Sequence, residues 1–173
     1  MKKKQLNRTL RDVHQVLKKV GLPCCKEHMS QKVFGMNVVF KNFGDFTGRI
    51  GVFIDDIREQ IVLSMSTPDK IPEENVAVVM NVINRFNNAS TTEHLWMDRE
   101  TNDVVVMKGI VLSGQSLDKE EFEAALMGLI GNGVAMLKAA LEQVASDEKP
   151  EVLVNRILQE HTNHTHKFKE NPI

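Results

Sequence analysis

The segment between residues 33 and 66 constrains the fold most, because apolar side chains recur there at every second position. A period of two is typical of a β-strand that buries one face. The polar stretches KNFGD and DD interrupt this pattern and are typical of turns. The sequence therefore predicts a meander of three antiparallel strands. Its buried face is expected to contain Phe34, Met36, Val38, Phe40, Phe46, Ile50, Val52, Ile54, Ile61, Leu63 and Met65.

Helical patterns lie before and after these strands. A first helix is predicted between Leu6 and Val20, where apolar residues recur three and four positions apart, and Gly21 and Pro23 end it. A second helix is predicted in PDKIPEENVAVVMNVINRFNN, where Pro72 suits the first turn.

Two more strands and two more helices complete the order. TEHLWMDRETNDVVVMKGIVL alternates on both sides of a polar tip and predicts a hairpin. Its second arm is apolar on both faces, which predicts a strand that is central in its sheet or covered on both sides. Asp118 and Glu121 have the spacing of a capping box for a long helix, and EVLVNRILQEH predicts an extra short helix after it. Because strands and helices do not alternate strictly, we predict an α+β fold.

Composition excludes several classes of protein. Hydrophobic residues make up 42% and charged residues 26% of the chain, which excludes disorder of the whole chain. No uninterrupted apolar run approaches the ~20 residues of a membrane helix, and none follows the basic N-terminus as a signal peptide would require. The cysteines, Cys24 and Cys25, are adjacent, so a disulfide scaffold is excluded. We therefore expect a cytoplasmic protein with no membrane partner.

Two stretches of the chain resemble the YbjN-like family of bacterial sensory transduction regulators. One is VMNVINRFNNAS, a helix end that carries Asn81 and Asn84. The other is LWMDRETNDVVVMKGIVLSGQSLDKEEFEAAL, an acidic hairpin tip followed by a hydrophobic strand and a capped helix. The resemblance covers roughly residues 6–145. That family is similar in fold to the type III secretion chaperones, small dimeric proteins that bind partner polypeptides along exposed strands and grooves.

The resemblance implies a type III secretion chaperone-like domain at residues 1–146, to which residues 147–173 add a helix and a His-rich tail. It implies a non-catalytic regulator or chaperone that has no cofactor, forms a homodimer and binds an unidentified polypeptide. It brings no catalytic residue with it. The residues agree, because a pair of Cys24 or Cys25 with His28 would lack an orienting third group. We therefore do not predict an enzyme.

A metal site is the first alternative function. The chain ends in HTNHTHKFKENPI, and CCKEH lies near its start. A structural zinc ion takes four Cys or His ligands from clusters that the fold brings together. The spacing is not that of a zinc finger or ribbon, which favours a solvated tail. For bound zinc or nickel, the candidate ligands are His161, His164, His166, Cys24, Cys25 and His28.

Nucleic-acid binding through the basic first helix is the second alternative. Residues 1–32 carry nine Lys or Arg against two acidic residues, and phosphate contacts need such clustered cations. The chain has no tyrosine, however, and only 5% aromatic residues. A solvated face of an amphipathic helix is the simpler interpretation.

The long predicted helix has two contrasting faces, one of large side chains and one, nearly opposite, of small residues. Glycine costs ~1 kcal/mol relative to alanine inside a helix, so two glycines on one stripe indicate close approach of another backbone. We predict that the large face packs on the sheet. The small face is expected to receive either EVLVNRIL or the same helix of a second subunit in a symmetric dimer. Its residues, the α3 stripe below, are Ala124, Gly128, Gly131, Ala135 and Ala139.

Trp96, the single tryptophan, falls in the first arm of the predicted hairpin, with His94 and Asp98 on the same face. It is either a partly buried residue of the sheet or an aromatic contact for a partner, since tryptophan is enriched at interface hot spots. The pattern of the sequence leaves both interpretations open.

Overall fold

The computed structural model describes residues 1–22, 33–40, 46–89 and 93–170, with the backbone alone at 36–40, 46 and 161–170. Within these ranges the chain forms an antiparallel sheet with a layer of helices, which confirms the predicted α+β fold and element order. The elements are α1 (Lys3–Lys19), β1 (Val33–Phe40), β2 (Phe46–Asp55), β3 (Gln60–Ser66), a 3₁₀ turn (Glu73–Asn75), α2 (Val76–Ala89), β4 (His94–Met97), β5 (Val104–Val111), α3 (Lys119–Ala145) and α4 (Pro150–Glu170).

The sheet has the strand order β1-β2-β3-β5-β4, and all neighbours are antiparallel. Its register places Phe34 opposite Val52, and Val52 opposite Leu63. The predicted buried face is confirmed wherever side chains are described, since Phe34, Ile50, Val52, Ile54, Ile61, Leu63 and Met65 are all 0% exposed. We call this the inner face. The side chains of Met36, Val38, Phe40 and Phe46 lie outside the described part.

Strand β5 lies between β3 and β4, so the prediction of a strand with a neighbour on each side is confirmed. The alternative, that it is covered on both faces, is wrong. Val104 and Val106 on the inner face are 0% exposed, whereas Val111 on the opposite face is 70% exposed. No described helix packs against that second face.

Helix α3 lies on the inner face against β3 and β5, and α1, α2 and α4 each pack against α3. Gly133 permits the closest approach, because a Cβ there would lie 3.2 Å from Met65 Sδ. The Asp118 carboxylate accepts hydrogen bonds from the N–H groups of Glu120 and Glu121, which confirms the predicted N-cap. The core therefore sits between α3 and the inner face.

The last helix differs from the prediction of a short segment. It spans 21 residues, because no Gly or Pro interrupts residues 151–170. Pro150 occupies the first helical position, where its missing N–H costs nothing.

Helix α3 approaches membrane length without being an uninterrupted apolar run, because Asn132 and Lys138 lie within it. It is 27 residues long and contains an 18-residue window of mean hydropathy 1.6, enough to cross a membrane by length and composition alone. Here it is the central helix of the domain, and 56% of that window is buried against the sheet and the other helices.

Candidate functional site

The face of the sheet opposite α3, called the outer face, has an exposed apolar surface. Every described outer-face residue is at least partly exposed, in contrast to the inner face. Trp96 is 50% exposed, Phe53 44% and Val111 70%. Large apolar side chains without cover on a sheet mark an interaction surface or an aggregation hazard. The apolar residues of the outer face are Val33, Phe53, Val62, Trp96, Val105, Met107 and Val111.

A row of small residues forms a low strip across the outer face. Gly35 pairs with Gly51, which pairs with Ser64. A Cβ on Gly51 would lie only 2.5 Å from Ser64 Oγ, so any larger residue there would have to turn the Ser64 hydroxyl away. Beside the strip, the paired Phe53 and Val62 form a ridge. Another polypeptide could therefore approach the backbone of the strip closely while contacting apolar side chains next to it.

Trp96 is held on the outer face by a rigid edge strand. It pairs with Val105 of β5. On the other edge of β4, Asn87 Nδ2 donates to the Leu95 carbonyl at 2.9 Å, and Asn87 Oδ1 accepts from the Leu95 N–H at 2.8 Å. One side-chain amide thus imitates a neighbouring strand and satisfies the backbone at the centre of an edge strand. The structure shows Trp96 half exposed and well supported.

The role of Asn87 was not predicted from the sequence. The resemblance drew attention to the Asn-rich end of α2 through Asn81 and Asn84, and both of these side chains are exposed. The resemblance therefore pointed to the correct helix, α2, but to Asn81 and Asn84 instead of Asn87. Which amide reaches the strand depends on the distance between α2 and β4, which periodicity does not give.

A buried ion pair was also missed. Lys108 lies on the inner face opposite Leu63, and its Nζ is 2.8 Å from Glu93 Oε1. Glu93 is only 2% exposed and also accepts a hydrogen bond from Asn132 Nδ2 at 3.2 Å. The pair joins the β4–β5 hairpin to α3 through charged groups inside an otherwise apolar layer. In the sequence, Lys108 is a polar residue within an apolar strand. Only the fold shows that its partner is Glu93.

The structure divides the α3 stripe into two parts. Ala135 and Ala139 are buried within the chain, at 7% and 0% exposure, so a second subunit has no access to them. Ala124 is exposed, and Gly128 and Gly131 are partly exposed. The exposed part lies on α3, which covers the inner face, whereas Trp96 lies on the outer face. The predicted interface residues therefore do not form one surface.

Gly128 has a local explanation. A Cβ there would lie 3.7 Å from Lys108 Nζ and 3.8 Å from Glu93 Oε1. Alanine would fit at that distance, but a larger side chain would displace the ion pair. Part of the glycine content of α3 therefore serves contacts inside the domain.

The metal candidates lie where side chains are not described. Cys24, Cys25 and His28 are outside the described residues, and α4 includes His161, His164 and His166 by its backbone alone. In the described part of the chain, no three His, Cys, Asp or Glu side chains group around a possible metal position. The zinc or nickel alternative stays a prediction.

The basic face of α1 is partly neutralised by acidic groups of the same domain. Lys19 Nζ lies 2.6 Å from Glu123 Oε2, and Arg8 Nε lies 3.7 Å from Asp12 Oδ2. Lys119 of α3 adds a second cation to Asp12, at 3.1 Å. Some of the charge that suggested phosphate contacts therefore links α1 to itself and to α3. Nucleic-acid binding likewise stays a prediction.

The family of the chain follows from a sequence model. The model of YbjN, described as "Putative bacterial sensory transduction regulator", matches residues 44–142, which is more than half of the 173 residues. The chain belongs to the YbjN family. This confirms the predicted family, whose members are described as regulators rather than enzymes. Among curated proteins, no relative matches.

Solved structures place the YbjN-family chain in the predicted fold. It is similar to YbjN from E. coli, titled "a putative transcription regulator", with a TM-score of 0.61 and 16% identity over 78% of this chain and 93% of that one. It is similar to the ExsC–ExsE complex, with a TM-score of 0.51 and 17% identity over 77% and 93%. For the HopA1–SchA chaperone–effector complex the TM-score is 0.49, with 16% identity over 80% and 98%. At these identities the likeness to the first two structures shows a shared fold alone.

Proposed function

We propose that this YbjN-family protein is a non-catalytic module that binds polypeptide partners through the outer face of its sheet. The observation that carries the proposal is the exposure of Trp96, Phe53 and Val111 on a face that no described helix covers. Membership in a family of regulators supports it. So does the similarity in fold to ExsC, which was solved in complex with ExsE.

The chemistry of the outer face defines the class of ligand. Its centre is apolar, and its low strip consists of glycine and serine. It therefore suits a polypeptide segment that has apolar side chains and whose backbone lies close to the sheet. Arg49, Asp55 and His94 place polar groups among them. A small polar metabolite would find no enclosed site on this open face.

Replacing Trp96 by serine is expected to reduce partner binding by about tenfold or more, because a tryptophan that becomes buried in an interface commonly contributes over ~1.4 kcal/mol. Full-length wild type and variant would be compared as bait in the host extract, with captured polypeptides quantified by mass spectrometry. Each captured partner would then be purified and titrated by calorimetry, because Trp96→Ser removes the single tryptophan and with it the intrinsic fluorescence signal.

Ile57→Ser is the matched control for this experiment. Ile57 is 91% exposed at the β2–β3 turn. Its replacement therefore also removes a large apolar side chain from the surface, but at a position away from the outer face. The proposal requires polypeptides that both wild type and the Ile57 variant retain and the Trp96 variant loses. If no captured polypeptide depends on Trp96, the outer face is not the binding surface.

We also propose that the protein forms a homodimer through the exposed part of the α3 stripe. Ala124, Gly128 and Gly131 permit close helix contact, and the neighbouring Met127 is 52% exposed and could pack against a second copy. This proposal narrows the predicted interface to the residues that the fold leaves accessible.

Ala124→Glu is expected to convert the dimer to a monomer, since it places a charge at the closest point of the proposed helix contact. Light scattering at tens of micromolar protein should give twice 19.6 kDa for wild type and 19.6 kDa for the variant. Ala77→Glu, at an exposed position of α2, is the control and should remain dimeric. A monomeric wild type would refute the dimer, and a dimeric Ala124 variant would refute this interface.

A further inference from the structure

Helix α4 lies outside the segment that matches the family, which ends at residue 142. It packs against both α2 and α3 and buries Leu153, Val154 and Ile157 to 5% exposure or less. Leu158 is partly buried next to them. These four positions follow the spacing i, i+1, i+4 and i+5, which places them on one side of a helix. α4 is therefore an amphipathic helix lying in a groove between α2 and α3, the α4 groove.

The small residues of α3 help to form this groove. Ala135, Ala139 and Glu142 follow a spacing of four and three residues, so they share one side of α3. Glu142 on that side holds Arg156 of α4 at 3.0 Å. Ala135 and Ala139 are buried on the same side. Through Glu142, α4 contacts the side of α3 that also carries Ala135 and Ala139.

Polar contacts fasten α4 at its edges. Arg156 Nη2 lies 3.0 Å from Glu142 and 3.2 Å from Glu148, and its Nη1 lies 3.3 Å from Glu160. Hydrogen bonds to Glu142, then Glu148 and Glu160, raise the pKa of Arg156 above its ordinary value. The Arg156 side chain is 40% exposed, however, and exposed ion pairs are weak and sensitive to salt.

Open clefts flank α4 along α2 and at the preceding turn. One, of about 270 Å³, is lined by Ala89 of α2 and by Val154 and Leu158 of α4, and Arg85 of α2 bridges it through an ion pair of 2.7 Å with Glu151 of α4. The other, of about 490 Å³, lies where α3 turns into α4, between Val78 and residues 143–150. Both clefts are open to solvent, so the edges of α4 are accessible from outside the domain.

We propose that the α4 groove is a binding site for an amphipathic helix of a partner, and that α4 occupies this groove until the partner helix displaces it. The chemistry of α4 defines the partner: apolar residues at i, i+1, i+4 and i+5, and a cation at i+3, where Arg156 stands relative to Leu153. The acidic Glu142 and Glu148 supply the complementary charge. A four-residue connection, 146–149, holds α4 at an effective concentration in the millimolar range, so a partner helix must compete with it.

Weakening the resident helix tests the proposal in the full-length protein. In Arg156→Ala, hydrogen exchange of the amides of residues 150–160 should be about tenfold faster, while exchange in the sheet stays unchanged. A fluorescent peptide of residues 147–160, which still carries the arginine, should bind Arg156→Ala at least about tenfold more tightly than it binds wild type. Arg99→Ala is the matched control, since Arg99 is an exposed cation in the β4–β5 turn.

Three outcomes would overturn the proposal. α4 of the Arg156 variant could exchange as slowly as in wild type, which would make it a permanent part of the core. The helix could exchange rapidly while the peptide fails to bind, or the variant could double its mass by exchanging α4 between copies. Leu158→Ala truncates a partly buried side chain of α4 and leaves the groove unchanged, so it should reproduce the result if Arg156→Ala folds poorly. Trp96→Ser should leave peptide binding unchanged, so this proposal and the outer-face proposal fail separately.

Discussion

Replacing Glu93 by alanine is expected to lower the free energy of unfolding by about 2–4 kcal/mol, because the Lys108 ammonium would remain in an apolar layer without its partner. This loss of unfolding free energy is somewhat smaller than the loss expected for a fully enclosed pair, because the Lys108 side chain is 20% exposed and can reach some water. Urea denaturation followed by circular dichroism would measure the change.

A double replacement separates the charge from the shape of this site. Lys108→Met alone should also destabilise, because it leaves the buried Glu93 carboxylate without the ammonium 2.8 Å away. Glu93→Leu with Lys108→Met should recover most of the loss, since an apolar pair of similar volume often equals or exceeds a buried ion pair in stability. A Glu93→Ala variant within about 0.5 kcal/mol of wild type would show that the pair contributes nothing measurable.

Phe34→Ala is expected to cost about 3–5 kcal/mol of unfolding free energy, the usual effect of truncating a fully buried phenylalanine. Phe34 is 0% exposed on the inner face. Phe53→Ala is the matched control on the neighbouring strand. Phe53 is 44% exposed on the outer face, so the same truncation should cost no more than about 1 kcal/mol.

The same two variants should separate stability from binding. Phe53→Ala should weaken the capture of partners that depend on Trp96, whereas Phe34→Ala should leave it unchanged at temperatures where the variant is folded. Thermal unfolding and quantitative capture would be measured on the same preparations. Equal losses of stability in both variants would contradict a sheet with one covered face. Unchanged capture by Phe53→Ala would confine the binding surface to the β4–β5 end of the sheet.

Local patterns predicted the fold well because each depends on residues that are neighbours in the sequence. Alternation in β2 and β3 identified their buried faces, since successive side chains of a strand point in opposite directions. Asp118 identified the start of α3 because a cap needs only the next three residues. The resemblance to the YbjN-like family rested on similar local features around the hairpin and α3.

The candidate sites were predicted less completely. Trp96 was considered for an interface from the sequence, but its exposure depends on which face of the sheet the helices cover. The α3 stripe was identified by composition, yet Ala135 and Ala139 in its second half are buried within the chain and only Ala124, Gly128 and Gly131 remain accessible. A helical wheel shows which residues share a side of a helix and does not show what packs there.

The sequence by itself determined the elements, their order and the apolar side of each, because these follow from backbone geometry at spacings of two, three and four residues. Only the tertiary structure decided which partners distant residues meet. It paired Lys108 with Glu93, placed the Asn87 amide on the edge of β4, and laid α4 in the groove between α2 and α3. The first two contacts join residues that are 15 and 8 positions apart, and the third joins separate helices. Their distances depend on how the layers pack, so no local period encodes them.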